Sequence, residues 1–134
     1  MAEAHRELDG DLLALSDRFM AALNVGDGDT VREVYAPDAR IWHNFDDKFQ
    51  TVEENIETMK WLHTRLKDID YDVQRRVPTS DGFVQEHILR GTLPSGKPFA
   101  LFACAVIRVE NGRIAELREY LDTVQSRPLF ERAA

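Results

Sequence analysis

The sequence predicts an α+β domain in which N-terminal helices pack on a strongly curved antiparallel sheet around an internal pocket. Two observations predict it. In the first half of the chain apolar residues recur at steps of three and four, whereas in the second half they alternate or run on between turn signals. The strands so read reach ten or so residues, and long strands twist, so the sheet should curl around the helices and enclose a conical cavity.

Leu8, Leu12, Leu15, Phe19 and Leu23 form one stripe of an amphipathic helix, which Asn24-Val-Gly-Asp-Gly stops, with Gly26 or Gly28 free to turn left-handed. Thr30-Val-Arg-Glu33 is a capping-box pattern and predicts a short helix through Val34 and Tyr35, closed by Pro37. Residues 39–45 read as extended. Thr51-Val-Glu-Glu54 is a second capping box, opening a helix with Ile56, Met59, His63 and Leu66 on its inward face. Residues 70–78 alternate, placing Tyr71, Val73 and Val77 on one side. Ser80-Asp-Gly82 turns into a strand over 83–93, and Pro94-Ser-Gly96 turns into a near-continuous apolar strand over 99–109. Glu110-Asn-Gly112 is the strongest hairpin signal, leading to a last strand over 113–122. Nothing divides the chain, so residues 1–134 read as one domain with tails at 1–6 and 124–134.

Composition narrows the function classes. The 134 residues carry 17 Lys+Arg against 24 Asp+Glu, a net charge of −7, which argues against a nucleic-acid partner. No apolar run approaches a membrane span and the first residues lack a signal-peptide plan, so the expectation is a soluble cytoplasmic protein. Cys104 stands alone, and four scattered His show no HxH or HExxH spacing, so neither a disulfide framework nor a metal site is expected. There is no Gly-rich phosphate loop and no GxSxG elbow, and no cofactor is expected.

Side chains alternate across a strand, so a polar residue on an apolar face is the informative anomaly. Glu119 shares a face with Leu117 and Leu121. A carboxylate there loses hydration, and its pKa rises unless a cation pairs with it, the condition for an acid or base working near neutrality. In the 83–93 strand, Gln85 and His87 lie between Phe83 and Leu89, and His87 is a natural partner for Glu119. In the 39–45 stretch one face carries Ile41, His43 and Phe45, and the other Trp42 and Asn44. Trp42 offers an apolar wall and Asn44 an amide able to hold a water or a carbonyl. His63 is a further candidate for the cavity wall.

The segments Leu23-Asn-Val-Gly-Asp, Ala36-Pro-Asp-Ala-Arg-Ile-Trp-His-Asn, Leu89-Arg-Gly-Thr-Leu-Pro-Ser-Gly and Val109-Glu-Asn-Gly-Arg-Ile-Ala-Glu-Leu-Arg-Glu-Tyr-Leu-Asp resemble the SnoaL-like branch of the nuclear transport factor 2-like superfamily. The resemblance spans 8–122. It implies a cone-shaped α+β barrel, a deep apolar pocket and a homodimer formed through the sheet. Arg118-Glu-Tyr-Leu-Asp122 is similar to the Arg-Asp-Tyr-Phe-Asp of the epoxide hydrolases in that superfamily and to the segment holding the base of the SnoaL cyclases; both put Glu119 at the acid/base position. Trp42 and Asn44 resemble a Tyr-x-Asn pair that positions water. Gln85 and His87 stand where the epoxide hydrolases have Arg-x-Asp, a departure that leaves one carboxylate plus one His.

The expectation is therefore a pocket for a small hydrophobic, carbonyl-bearing molecule, with cofactor-free proton transfer by Glu119 and His87, and with Trp42, Asn44, Gln85, His63, Leu117 and Leu121 around the substrate. Three other readings stay open. Glu119 could activate a water held by Asn44, as in a hydrolase or dehydratase. The domain could bind a ligand without turnover. It could also be a dimerisation module in which one of Arg75, Arg76, Arg90, Arg108 and Arg118 pairs with Glu119.

Overall fold

A computed structural model describes residues 7–131; the predicted tail at 1–6 and residues 132–134 lie outside them. Helix α1 (Gly10–Val25) starts at Asp9, whose carboxylate accepts the Leu12 N–H at 2.9 Å, and ends at Gly26, left-handed with φ 73°. Helix α2 (Gly28–Val34) is capped by Asp27 and not by Thr30: Asp27 accepts both the Thr30 N–H (3.1 Å) and its hydroxyl (2.6 Å). An Asp three residues upstream thus outcompetes the capping box, and the helix begins two residues before Thr30. Tyr35 already belongs to strand β1 (Tyr35–His43), so Pro37 lies within a strand. The ladder of β1 is irregular between Tyr35 and Arg40, so the missing Pro N–H breaks no regular pairing.

The short strand β2 (Lys48–Gln50) carries no pattern that three residues could show. Helix α3 (Val52–Arg65) has the predicted capping box in full, with Thr51 and Glu54 each accepting the other's N–H. Strands β3 (Lys67–Thr79), β4 (Gly82–Thr92), β5 (Pro98–Glu110) and β6 (Arg113–Leu121) lie within three residues of their predicted ends. Asn111 and Gly112 both take positive φ (51° and 75°), the turn that the Asn-Gly pair predicts.

The sheet runs β2-β1-β6-β5-β4-β3. β3 to β6 form the predicted antiparallel meander, but β1 pairs with β6 in parallel, so the sheet is mixed, with β2 and β3 as open edges. The parallel pair arises because the long connection through α3 and the meander returns the chain to β1 from the same direction. The fold is α+β, with three helices against one face of the sheet. Phe19, Val31, Ile41, Ile56, Phe83, Ile107 and Ile114 fill the space between the helices and that face, and a second cluster of Leu62, Leu66, Leu89, Phe99, Leu101 and Leu129 closes the other end.

A bulge in β3 between Val73 and Arg75 changes which residues face inward. Tyr71 and Val73 pack on the core as predicted, but after the extra residue it is Arg76 that aligns with the inward Gln85, and Val77 with the outward Val84. The expected inward place of Val77 is thereby corrected. The end of the chain is not a free tail up to residue 131: a 3-10 turn (Arg127–Leu129) buries Leu129, and Arg65 donates to the Leu129 carbonyl at 2.7 Å and to that of Glu131. Among the described residues no helix is long and apolar enough to cross a membrane.

Candidate active site

The pairing register lines up one row of residues across five strands: His43 on β1, Glu119 on β6, Ala105 on β5, Gln85 on β4 and Arg76 on β3. Adjacent strands lie about 4.8 Å apart, so β4 and β6 are about 10 Å apart with β5 between them. The inward residues of β5 here are Ala103 and Ala105. Their small side chains leave room for His87 and Glu119 to meet above β5, with His87 Nε2 3.0 Å from Glu119 Oε2. From the other side His43 Nε2 lies 3.4 Å from Glu119 Oε1. Each carboxylate oxygen thus faces one imidazole.

Burial pushes the Glu119 carboxyl up, as the sequence suggests. Hydrogen bonds and charge from His43 and His87 outweigh it and hold Glu119 well below the usual carboxylate range. For His43, burial acts downward, but the Glu119 contact and the nearby Asp46 raise it above the ordinary imidazole value. None of the five strand arginines pairs with Glu119. Arg75, Arg90 and Arg108 meet Glu86, Asp72 and Glu110, Arg76 meets Asp17 and Gln85, and Arg118 lies over the Trp42 ring.

The carboxylate sits in the wall of a cavity of about 120 Å³ lined mainly by apolar side chains. Tyr35 and Tyr71 add hydroxyls, both pushed up from the usual phenol range by burial and by the Glu119 charge, so both stay protonated. The Tyr35 hydroxyl donates to Asn55 at 3.0 Å. The Tyr71 hydroxyl and His43 Nδ1 have no hydrogen-bond partner among the described residues. No side-chain nitrogen or oxygen there is buried without one, so both atoms are open to solvent or cavity. Phe45, Trp61 and Phe130 gather at one side, with Trp61 and Phe130 stacked at 5.3 Å.

Gln85, His87, Leu117, Glu119 and Leu121 all line this cavity. Trp42, Asn44 and His63 do not. Trp42 lies on the outward face against Tyr120, its indole N–H donating to Asp47 at 2.9 Å. Asn44 spends its amide on the backbone of Leu121, accepting its N–H (3.0 Å) and donating to its carbonyl (3.1 Å). His63 Nε2 lies 2.9 Å from the Leu23 carbonyl at the end of α1, which also accepts the Gly26 N–H. The residue that sequence reasoning missed is His43. Its signal was present: it shares parity with Ala39 and Ile41, both buried, whereas Trp42 follows the exposed Arg40. Among the described residues no group of three or more His, Cys, Asp or Glu side chains is placed to hold a metal ion.

Comparison with known proteins agrees with this architecture. IdmH from Streptomyces antibioticus, a proposed polyketide cyclase, superposes with a TM-score of 0.79 at 25% identity, covering 88% of this chain and 96% of its own. A SnoaL-like polyketide cyclase candidate from Shewanella putrefaciens gives 0.77 at 17% identity, over 92% and 98% of the two chains. An epoxide hydrolase of M. tuberculosis gives 0.73 at 17% identity, over 90% of each. No curated protein matches the sequence. The profile of the SnoaL-like domain matches residues 16–117, most of the chain, and ends before the last four residues of β6, Glu119 among them. The chain belongs to the SnoaL-like domain family.

Proposed function

We propose that the protein catalyses cofactor-free acid/base chemistry on a small, largely hydrophobic, carbonyl-bearing molecule, either isomerisation or aldol-type cyclisation. The observation that carries this reading is an ionised carboxylate held between two imidazoles in the wall of an apolar cavity. The likeness to IdmH supports a carbonyl-rich substrate class.

A carboxylate held this low is a poor base toward carbon, so Glu119 acts through its histidines. A proton leaves the carbon next to the carbonyl for His43 Nδ1, and Glu119 stabilises the imidazolium that forms. The electron pair moves onto the carbonyl oxygen, where the Tyr71 hydroxyl donates a hydrogen bond. The proton then returns to a different carbon, giving an isomer, or the enolate carbon attacks a second carbonyl, closing a ring. His87 donates to Glu119 and keeps its charge in place. Activation by Glu119 of a water held by Asn44 loses its support, because both ends of that amide are engaged by Leu121.

Exchange of solvent deuterium into the α-position of a panel of cyclic and aryl ketones, followed by NMR, tests the reading. The wild type should accelerate exchange, and Glu119→Gln and His43→Gln should each lose about a hundredfold. Saturable binding of those ketones with exchange at the buffer rate would instead mark a ligand-binding module. The expected homodimer remains part of the proposal: Phe102, Val106 and Tyr120 stand exposed on the outward face of the sheet, and sedimentation of the wild type against Phe102→Lys reads whether a second copy covers them.

A further inference from the structure

We propose that Gln85, clamped by Arg76 and Ser16, is a positioning residue that fixes His87 as the tautomer protonated on Nε2, leaving Nδ1 of His43 as the proton-accepting nitrogen of the site. The donors and acceptors around Gln85 leave its amide one orientation. Arg76 has only donors, and its Nε lies 3.2 Å from one end of the Gln85 amide; the Ser16 hydroxyl meets the same end at 2.7 Å. That end must be the oxygen. The other end lies 3.3 Å from the Met20 sulfur, which can only accept, so it must be the nitrogen. Two independent neighbours of opposite polarity thus orient the amide, where the amide's own shape leaves it ambiguous.

The oriented N–H₂ points at His87 Nδ1 from 3.1 Å. Nδ1 must then offer a lone pair, and a proton placed there meets an N–H head-on. The ring proton goes to Nε2 and is donated to the ionised Glu119. Gln85 is fully buried, so no water substitutes for any of these partners. The groups facing His87 are Glu119 from β6, Tyr71 from β3 with its ring 5.5 Å away, and Gln85 on its own strand; Arg76, Asp17, Ser16 and Met20 stand behind Gln85. His43 faces Glu119, with Asp46 nearby, and no amide blocks its Nδ1. The two imidazoles therefore have different work although both touch one carboxylate.

The catalytic meaning of this division rests on the proton-transfer reading above, but the tautomer itself is measured without substrate. Long-range ¹H–¹⁵N spectra of uniformly ¹⁵N-labelled wild type at about pH 8 resolve the ring nitrogens of four histidines, assigned by single His→Gln variants. His87 is expected to show a protonated Nε2 and an unprotonated Nδ1. Gln85→Glu, which keeps the shape but replaces the N–H₂ by an acceptor, is expected to put a proton on Nδ1. A wild-type His87 protonated on Nδ1 overturns the proposal, and so does a Gln85→Glu spectrum in which Nδ1 stays unprotonated. Failure of the ketone exchange with the expected tautomer present would count against the catalytic reading alone.

Discussion

Removing the charge of Glu119 should reverse the pH dependence of stability near neutrality. In the wild type His43 lies above the ordinary imidazole value because the carboxylate 3.4 Å away outweighs burial. Coulomb's law at that separation gives about 1 kcal/mol if the pair is screened as in water and about 5 kcal/mol at an effective dielectric near 20. Glu119→Gln removes that attraction, so the His43 pKa should fall. Burial, the largest single influence, is then opposed only by Asp46 and carries His43 below the ordinary value of about 6.5.

The sign follows from linkage. A group raised in the folded state contributes stability that is complete below about pH 6.5 and is lost as pH rises through the folded value. Glu119, depressed in the folded state, contributes stability present above about pH 4.5 and lost as pH falls through its folded value. For these two groups the wild type should be most stable between about pH 4.5 and 6.5 and weaken toward pH 8. In Glu119→Gln the slope between pH 6 and 8 should invert, stability rising with pH. Urea unfolding at half-unit pH steps reads the slope, and an NMR titration of His43 reads the shift. A His43 pKa unchanged by the substitution would refute the reasoning, because burial and Glu119 could not then be the opposing forces.

Two further outcomes follow from the frame around the site. Gly82→Ala should destabilise the fold by about 2 kcal/mol or more, since a Cβ there meets the Ile107 carbonyl oxygen at 1.9 Å; a melting temperature within one degree of wild type would contradict that geometry. Arg65→Ala should free the 3-10 turn by removing both carbonyl contacts, and amide exchange at Leu129 and Phe130 should speed up at least tenfold while that of β4 and β5 stays unchanged.

The meander was legible because Asn111-Gly112, Pro94-Ser-Gly96 and Ser80-Asp-Gly82 mark its turns locally. Glu119, Gln85 and His87 were legible because period-2 alternation within one strand needs no partner to be read. What escaped depended on partners. The bulge that turns Arg76 inward is a property of the β3–β4 pair, and no residue type in Gln74-Arg-Arg announces it. The parallel β1–β6 pairing, which sets His43 beside Glu119, joins segments more than seventy residues apart. Choosing Trp42 and Asn44 over His43 followed from weighing side-chain chemistry ahead of parity with Ala39 and Ile41. The sequence expects the Glu119 pKa to rise unless a cation pairs with it; His87 and the unforeseen His43 together reverse the direction.

Asn44 acts as if it were one more residue of the β1–β6 ladder, its amide imitating a peptide group against the Leu121 backbone. The consequence is temporal. The last strand synthesised must find the first, and a slip of one residue along it would present Trp42 or Asn44 to Glu119 in place of His43. A nascent chain that has not yet delivered residue 121 has no bolt to hold that alignment. His43 and Glu119 therefore come into register only once that last strand has paired with the first.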